Sequence, residues 1–278
     1  MVKKIKKIVT GNKAVDGAGV RLVRVIGYND VKEFDPFLMF DAFDSENPED
    51  YIKGFPWHPH RGIETITYLI KGNIEHSDSL GNKGNILDGC CQWMTAGSGV
   101  LHQEMPQPTD RMLGAQLWLN LPQKHKMTKP QYCDITSDMV PEIKEGNNII
   151  RVISGEYKGK TSSVYGDYVK MLYLDVDMKP GSQWKLKVDE NVNLFIYIVE
   201  GEGYFDELNE NLIESKRAVL FDNGDEFIAN TSENGIRFFL FAAVPLNEPI
   251  AWGGPIVMNT KAELSQAFKD LDEGTFIK

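Results

Sequence analysis

The chain has 278 residues, 42% hydrophobic and 25% charged, with a formal net charge of −10. Such a composition describes a soluble globular protein with one large core or two ordinary ones. The acidic balance argues against a nucleic-acid groove, which needs clustered Lys and Arg, and no apolar run approaches the ~20 residues of a membrane span.

The first residues, Met1 to Ile8, are basic but lack the apolar stretch and small-residue cleavage site of a signal peptide, so they read as a solvated first strand. Val20 to Ile26 is rich in β-branched residues and predicts a strand, while Asp35-Pro36 and Asn47-Pro48 are turn signals. The apolar run from Asp35 to Phe43 predicts core. From His58 the even positions run His58, His60, Gly62, Glu64, Ile66, Tyr68 and Ile70, which share a face if the strand is regular. Pro59 cannot donate to a ladder, which marks an edge or bulge and leaves the register of Glu64 open. Lys71-Gly72-Asn73, Gly81-Asn82 and Asp88-Gly89 predict hairpins. Thr95 to Gly99 predicts a tight turn into the strand that carries His102, and residues 113–121 predict a further strand. Turn signals every 8–15 residues and the lack of a long helical stripe predict an antiparallel barrel or sandwich.

The polar, Lys- and Pro-containing stretch from Pro122 to Pro141 reads as a connection, and a second β-rich half begins near Ile149. A weak echo relates the halves: Tyr68 to Gly72 resembles Tyr197 to Gly201, and Leu87-Asp-Gly89 resembles Phe221-Asp-Asn-Gly224. A duplicated β-barrel is expected, with domains at 1–130 and 131–278. No histidine follows His125, so whatever metal site the first half has, the second half is expected to lack it. Near the end, Thr260-Lys-Ala-Glu263 fits a capping box, and Leu264, Phe268 and Leu271 recur at helical spacing, predicting a packed terminal helix.

Two pairs spaced by two residues, His58/His60 and His102/Glu104, carry the chemistry. On neighbouring strands they would aim three imidazoles and a carboxylate at one point. A 3-His/1-Glu set without thiolate suits Fe(II), Mn, Co, Ni, Cu or Zn. In an octahedron it leaves two positions open, as a dioxygenase needs, whereas a structural zinc would close its tetrahedron. Glu104 is also the candidate to accept a proton from a hydroxylated substrate. Glu64 competes for the metal; its alternative roles are to orient a His ligand or to pair with Arg61. His76, after a hairpin turn among Glu75, Ser77 and Asp78, reads as exposed, and His125 as solvated. Cys90 and Cys91 read as small core residues, since no basic neighbour lowers a thiol pKa. Phe55, Trp57, Trp93 and Met94 either floor an aromatic-binding pocket or pack the core. The three cysteines, Cys90, Cys91 and Cys133, cannot all pair, and the adjacent two lack CxxC spacing, so a reduced, cytoplasmic setting is expected.

These motifs resemble the pirin family of the cupin superfamily. His58-Pro-His60-Arg-Gly-Ile-Glu64-Thr looks like its first motif, and Gln92-Trp-Met-Thr-Ala-Gly-Ser-Gly-Val-Leu-His102-Gln-Glu104-Met like its second. Further similarity runs through Pro130-Gln-Tyr, Val152 to Gly155 and Gly254 to Thr260. The resemblance implies an all-β bicupin: two face-to-face cupin (double-stranded β-helix or jelly-roll) barrels with a short C-terminal helix. It further implies iron, as Fe(II), in the N-terminal barrel only, held by His58, His60, His102 and Glu104, with Glu64 demoted. It implies either a quercetin 2,3-dioxygenase that opens a flavonol ring with O2 and releases carbon monoxide, or an iron-dependent interaction protein that binds a transcription factor or metabolic enzyme. The expected partners are a flavonol-like aromatic and O2, and a protein under the second reading, with a monomeric chain, no direct nucleic-acid contact and no membrane.

Overall fold

Turn residues recurring at short intervals leave little room for anything but short strands, and the computed structural model, which describes residues 1–278, is built almost wholly from antiparallel ones. The first twelve are Ile5–Thr10 (β1), Asn12–Asp16 (β2), Val20–Ile26 (β3), Phe37–Ser45 (β4), Phe55–His60 (β5), Ile63–Lys71 (β6), Ile74–Asp78 (β7), Lys83–Ile86 (β8), Cys91–Thr95 (β9), Val100–Pro106 (β10), Met112–Asn120 (β11) and Gln131–Ile135 (β12). The helices are Val31–Phe34 (α1) and Lys261–Asp272 (α2). The all-β class, the two barrels and the short terminal helix are as expected.

The domain boundaries are not. One compact unit comprises Asn12–Ser137 with Leu246–Lys278, and the other Met1–Gly11 with Asp138–Pro245. Backbone pairing explains the difference from a cut at residue 130. β12 runs antiparallel to β9, Gln131 opposite Thr95 and Ile135 opposite Cys91, which carries the first unit past that point. β1 pairs with Arg217–Phe221 and so belongs to the second unit's sheet. Each chain end is thus used by the unit more distant in sequence.

The first unit holds two sheets, β12-β9-β6-β11-β4-β3-β2 and β5-β10-β7-β8. Of the expected hairpins only Gly81-Asn82 joins paired strands, β7 and β8. Lys71-Gly72-Asn73 and Asp88-Gly89 instead carry the chain from one sheet to the other, as does the expected tight turn Thr95–Gly99, the corner-turning of a jelly roll. Glycine-rich punctuation looks alike in a hairpin and a corner, because both need backbone freedom rather than a particular partner strand. The predicted continuity from His58 to Ile70 breaks for the same reason: β5 and β6 lie in different sheets, separated at Arg61-Gly62. Gly62 has φ +80°, and a Cβ there would lie 2.0 Å from the Val257 carbonyl oxygen. A Gly62→Ala protein therefore carries both left-handed strain and overpacking. It is expected to lose at least about 2 kcal/mol, read as a fall in denaturation midpoint.

Inside the second unit, Trp184, Phe205, Phe221, Phe227 and Phe238 fill the barrel, each almost wholly buried. The Trp184 indole N–H donates to Tyr157 Oη (2.8 Å), whose hydroxyl donates to Glu145 (2.5 Å), so the polar atoms among these rings are satisfied. That interior holds no histidine.

The helix α2 begins with the predicted capping box. Thr260 Oγ1 accepts from the Glu263 N–H, and Glu263 Oε2 accepts from the Thr260 N–H. The face it buries differs from the expected Leu264, Phe268 and Leu271 stripe. Ala267 and Asp270 are the buried residues, whereas Leu264 and Leu271 are only partly covered and Phe268 is exposed. Asp270 is drawn inward by Arg61, whose Nη1 donates to it at 2.7 Å.

Candidate metal centre

The four-stranded sheet supplies the site. Across its ladders His102 on β10 stands opposite His58 on β5 and Asp78 on β7, while Glu104 stands opposite His76. Directly opposed residues share a face, so the His58/His60 and His102/Glu104 pairs project inward together with His76. One irregularity falls between His102 and Glu104 on the β5 side. His60, His76, His102 and Glu104 are buried and His58 is half-buried.

The donor nitrogens of His58, His60 and His102 all lie within 4.8 Å of one another. Each ring has its Nδ1 engaged: His58 donates to the Pro56 carbonyl (2.8 Å) and His60 to the Pro255 carbonyl (3.1 Å). His102 Nδ1 lies 3.2 Å from His76 Nε2. Those contacts turn three Nε2 atoms inward. His58 Nε2 and His60 Nε2 are 3.1 Å apart, and His102 Nε2 is buried without a hydrogen-bond partner. A buried polar atom left so costs about 1–3 kcal/mol. A divalent ion accepting three lone pairs at that point removes the cost, so the residues fit a metal ion. Burial, then the neighbouring imidazole of His58, pulls the His60 pKa down to about 3 against the Pro255 carbonyl, and burial pulls His102 well below its ordinary value. Both rings are therefore neutral near pH 7, the form that coordinates.

Glu104 sits beside the cluster with its carboxylate held from the other sheet. Oε1 accepts from Gln116 Nε2 (2.8 Å) and Thr67 Oγ1 (3.3 Å), and Oε2 from the same Gln116 nitrogen (3.1 Å). Gln116 Oε1 in turn accepts from the Trp118 indole N–H at 3.2 Å. Glu64 is elsewhere. On β6 it alternates with Thr65 and Thr67, and since Thr67 reaches Glu104, Glu64 points to the opposite face, where it accepts from Thr95 Oγ1 at 2.6 Å. Nor does Glu64 pair with Arg61. That guanidinium donates to the Ser98 carbonyl, Asp270 and the Phe276 carbonyl.

A cavity of about 870 Å³ opens onto His58, His60 and Glu104. One side is aromatic: Trp118 packs against the His60 ring (5.0 Å between centroids), Trp252 against Trp118 (5.8 Å) and the exposed Tyr28 against Trp252 (5.7 Å). The other side carries Arg24, whose fork bonds the buried Asp41 through two atoms (2.9 and 2.7 Å) and Asp16 through one. Of the four residues expected either to floor a pocket or to pack the core, Phe55 and Trp57 line this cavity, while Trp93 and Met94 are buried core.

His76 corrects its sequence reading most sharply. It is 2% exposed, not solvated, stacked on Tyr132 (4.9 Å, 19° between planes). In the structure β7 alternates, with Ile74, His76 and Asp78 buried and Glu75 and Ser77 turned outward. Gln116, which the sequence reading missed, is a polar residue in phase with Trp118 and Asn120 on a mostly apolar strand. Cys91 is buried and Cys90 half-buried, both free thiols, and burial pushes the Cys91 thiol up, away from a nucleophile's range. No helix is long and apolar enough to cross a membrane.

Comparison with known proteins agrees with this architecture. Family patterns described as Pirin and as the Pirin C-terminal cupin domain match residues 19–119 and 173–277. A pirin-like protein of Caulobacter vibrioides is 40% identical over 278 residues, 99% of either chain. Pirin of Homo sapiens is 38% identical over 271 residues, 96% of this chain and 92% of that one. Among solved structures, a quercetin 2,3-dioxygenase from Acinetobacter baumannii has a TM-score of 0.89 at 33% identity, with 99% of both chains covered. With both patterns matched and full-length relatives at this identity, the chain belongs to the pirin family.

Proposed function

We propose that the protein is a metal-dependent dioxygenase that opens the heterocycle of a flavonol-like aromatic, as the name of the Acinetobacter baumannii relative suggests. The observation that carries this reading is the convergence of three imidazole Nε2 atoms, beside a carboxylate, at the edge of an aromatic-walled cavity. A purely structural ion would be enclosed by its ligands. His58, His60 and His102 would hold the ion, with Glu104 as the fourth ligand. A bound divalent ion, Fe(II) by the family resemblance, supplies Lewis acidity to a substrate oxygen and open positions for redox chemistry with O2.

The chain's own residues do the rest. Trp118 and Trp252 offer flat faces for a planar ring system. Glu104 accepts the proton of the hydroxyl presented to it, and the Gln116 and Thr67 donors set which carboxylate lone pairs remain free for that task. Iron-loaded protein given quercetin under air should bleach the flavonol absorbance and release carbon monoxide, and His102→Ala should do neither. Absence of product with Fe(II), Mn(II), Co(II) and Ni(II) alike would sink the proposal.

The second unit, with its packed interior and no histidine, favours one alternative: the ion governs binding of a protein partner. A partner retained by loaded protein and lost by His102→Ala would support that role; equal retention by both would exclude it.

A further inference from the structure

Two of the three imidazoles are oriented by main-chain carbonyls, Pro56 for His58 and Pro255 for His60, which no side-chain change can delete. The third is not. His102 Nδ1 meets the side chain of His76 at 3.2 Å, and His76 lies outside the set of converging donors. Resting on the reading of His58, His60 and His102 as metal ligands, we propose that His76 is the positioning residue of the centre. It accepts the Nδ1 proton of His102, fixes the tautomer that turns the Nε2 lone pair to the ion, and raises the basicity of that ligand.

The geometry carries the direction of the proton. Coordination through His102 Nε2 requires a lone pair there, so the one ring proton resides on Nδ1 and points at His76 Nε2. His76 must then accept through Nε2 and keep its own proton on Nδ1, an atom buried without a partner. Retaining that uncompensated N–H is hard to explain if the ring only fills space. Its surroundings hold it in place. Tyr132 stacks on one face and is itself anchored by donating its hydroxyl to Asp134 (2.5 Å), and the ladder with β10 sets His76 opposite Glu104. Backbone carbonyls serve two ligands as fixed acceptors; an imidazole serves the third as a stronger one, so the ligand set is electronically unequal.

The test compares His76→Gln with His76→Met, side chains of similar length of which only glutamine offers a carbonyl acceptor. Co(II) alone is titrated into each protein after metal stripping, and apo melting temperatures are measured alongside. His76→Met should weaken Co(II) binding about 10- to 100-fold and shift the visible bands of the bound ion, while His76→Gln stays near wild type. Equal affinities in all three proteins would overturn the proposal. So would equal weakening in both variants, which would assign the effect to packing. A second measurement needs no variant: in Zn(II)-loaded wild-type protein the His102 Nδ1 proton should resonate far downfield with coupling to His76 Nε2, and a His102 ring protonated on Nε2 would refute the assignment. Failure of the wild type to bind Co(II) or Zn(II) at all would instead refute the metal reading beneath it.

Discussion

Replacing Arg61 with methionine is expected to lower stability by about 3–5 kcal/mol, a large share of the 5–15 kcal/mol typical of a folded domain. Arg61 follows the proposed ligand His60 directly, yet its side chain points away from the imidazole cluster and is 2% exposed. Its Nε donates to the Ser98 carbonyl at 2.7 Å, Nη2 to the Phe276 carbonyl at 2.9 Å, and Nη1 to Asp270, with the guanidinium 4.1 Å above the centre of the Phe276 ring. Methionine fills part of the volume but leaves two buried carbonyls without donors, each costing about 1–3 kcal/mol, and ends the cation–π contact. Lysine keeps the charge but not the planar fork that reaches three acceptors, so Arg61→Lys should fall between methionine and wild type. The loss should begin at the C-terminal end. Phe276 and α2 would release first, detected as protease cleavage after residue 258 before global unfolding. Residues Ile256–Met258 bridge to Arg61 and adjoin the Pro255 carbonyl that orients His60, so weaker metal retention should accompany the release. A protein that keeps its melting temperature with methionine at this position would show that the tail is held by α2 packing alone.

The pairs at His58/His60 and His102/Glu104 were visible because a spacing of two is the strand's own period, and ligand chemistry needs no knowledge of the partner strand. His76 was not, since a histidine among Glu75, Ser77 and Asp78 looks solvated until β7 is known to lie beside β10. Register across strands far apart in sequence is set by which ladder forms, and local composition does not encode it. The same blindness turned corners into hairpins at Gly72 and Gly89. It also drew the domain boundary in the wrong place, because β1 and the segment after Leu246 each find their partners across most of the chain length. Pro56 and Pro255 are missed by any side-chain reading, since what they contribute is a carbonyl. Strand periodicity thus finds ligand types, while the atoms that orient them belong to the tertiary fold.

Acid should unfold the metal-free protein along a slope set by its buried imidazoles. His60 is held down to about 3 by burial, and His102 and His76 are lowered for the same first reason. In the unfolded chain each titrates near its ordinary value of 6.5. Between those limits the unfolded state binds more protons than the folded one, so stability is complete above pH 6.5 and falls as pH drops toward 3. One pKa unit corresponds to about 1.4 kcal/mol, so His60 alone removes about 4 kcal/mol by the bottom of the window. Asp35 and Asp41, whose pKa values are raised by burial, act in the opposite sense and soften the lower part of the curve. A divalent ion on the three Nε2 atoms competes with those protons, so Zn(II)-loaded protein should hold its melting temperature to lower pH than the stripped protein. The check is a series of thermal scans between about pH 7.5 and 4.5 with and without Zn(II). His60→Asn, which removes the deepest-shifted ring, should flatten the metal-free curve and remove most of the protection by zinc. Parallel curves for stripped and loaded protein would mean that the ion does not bind these imidazoles.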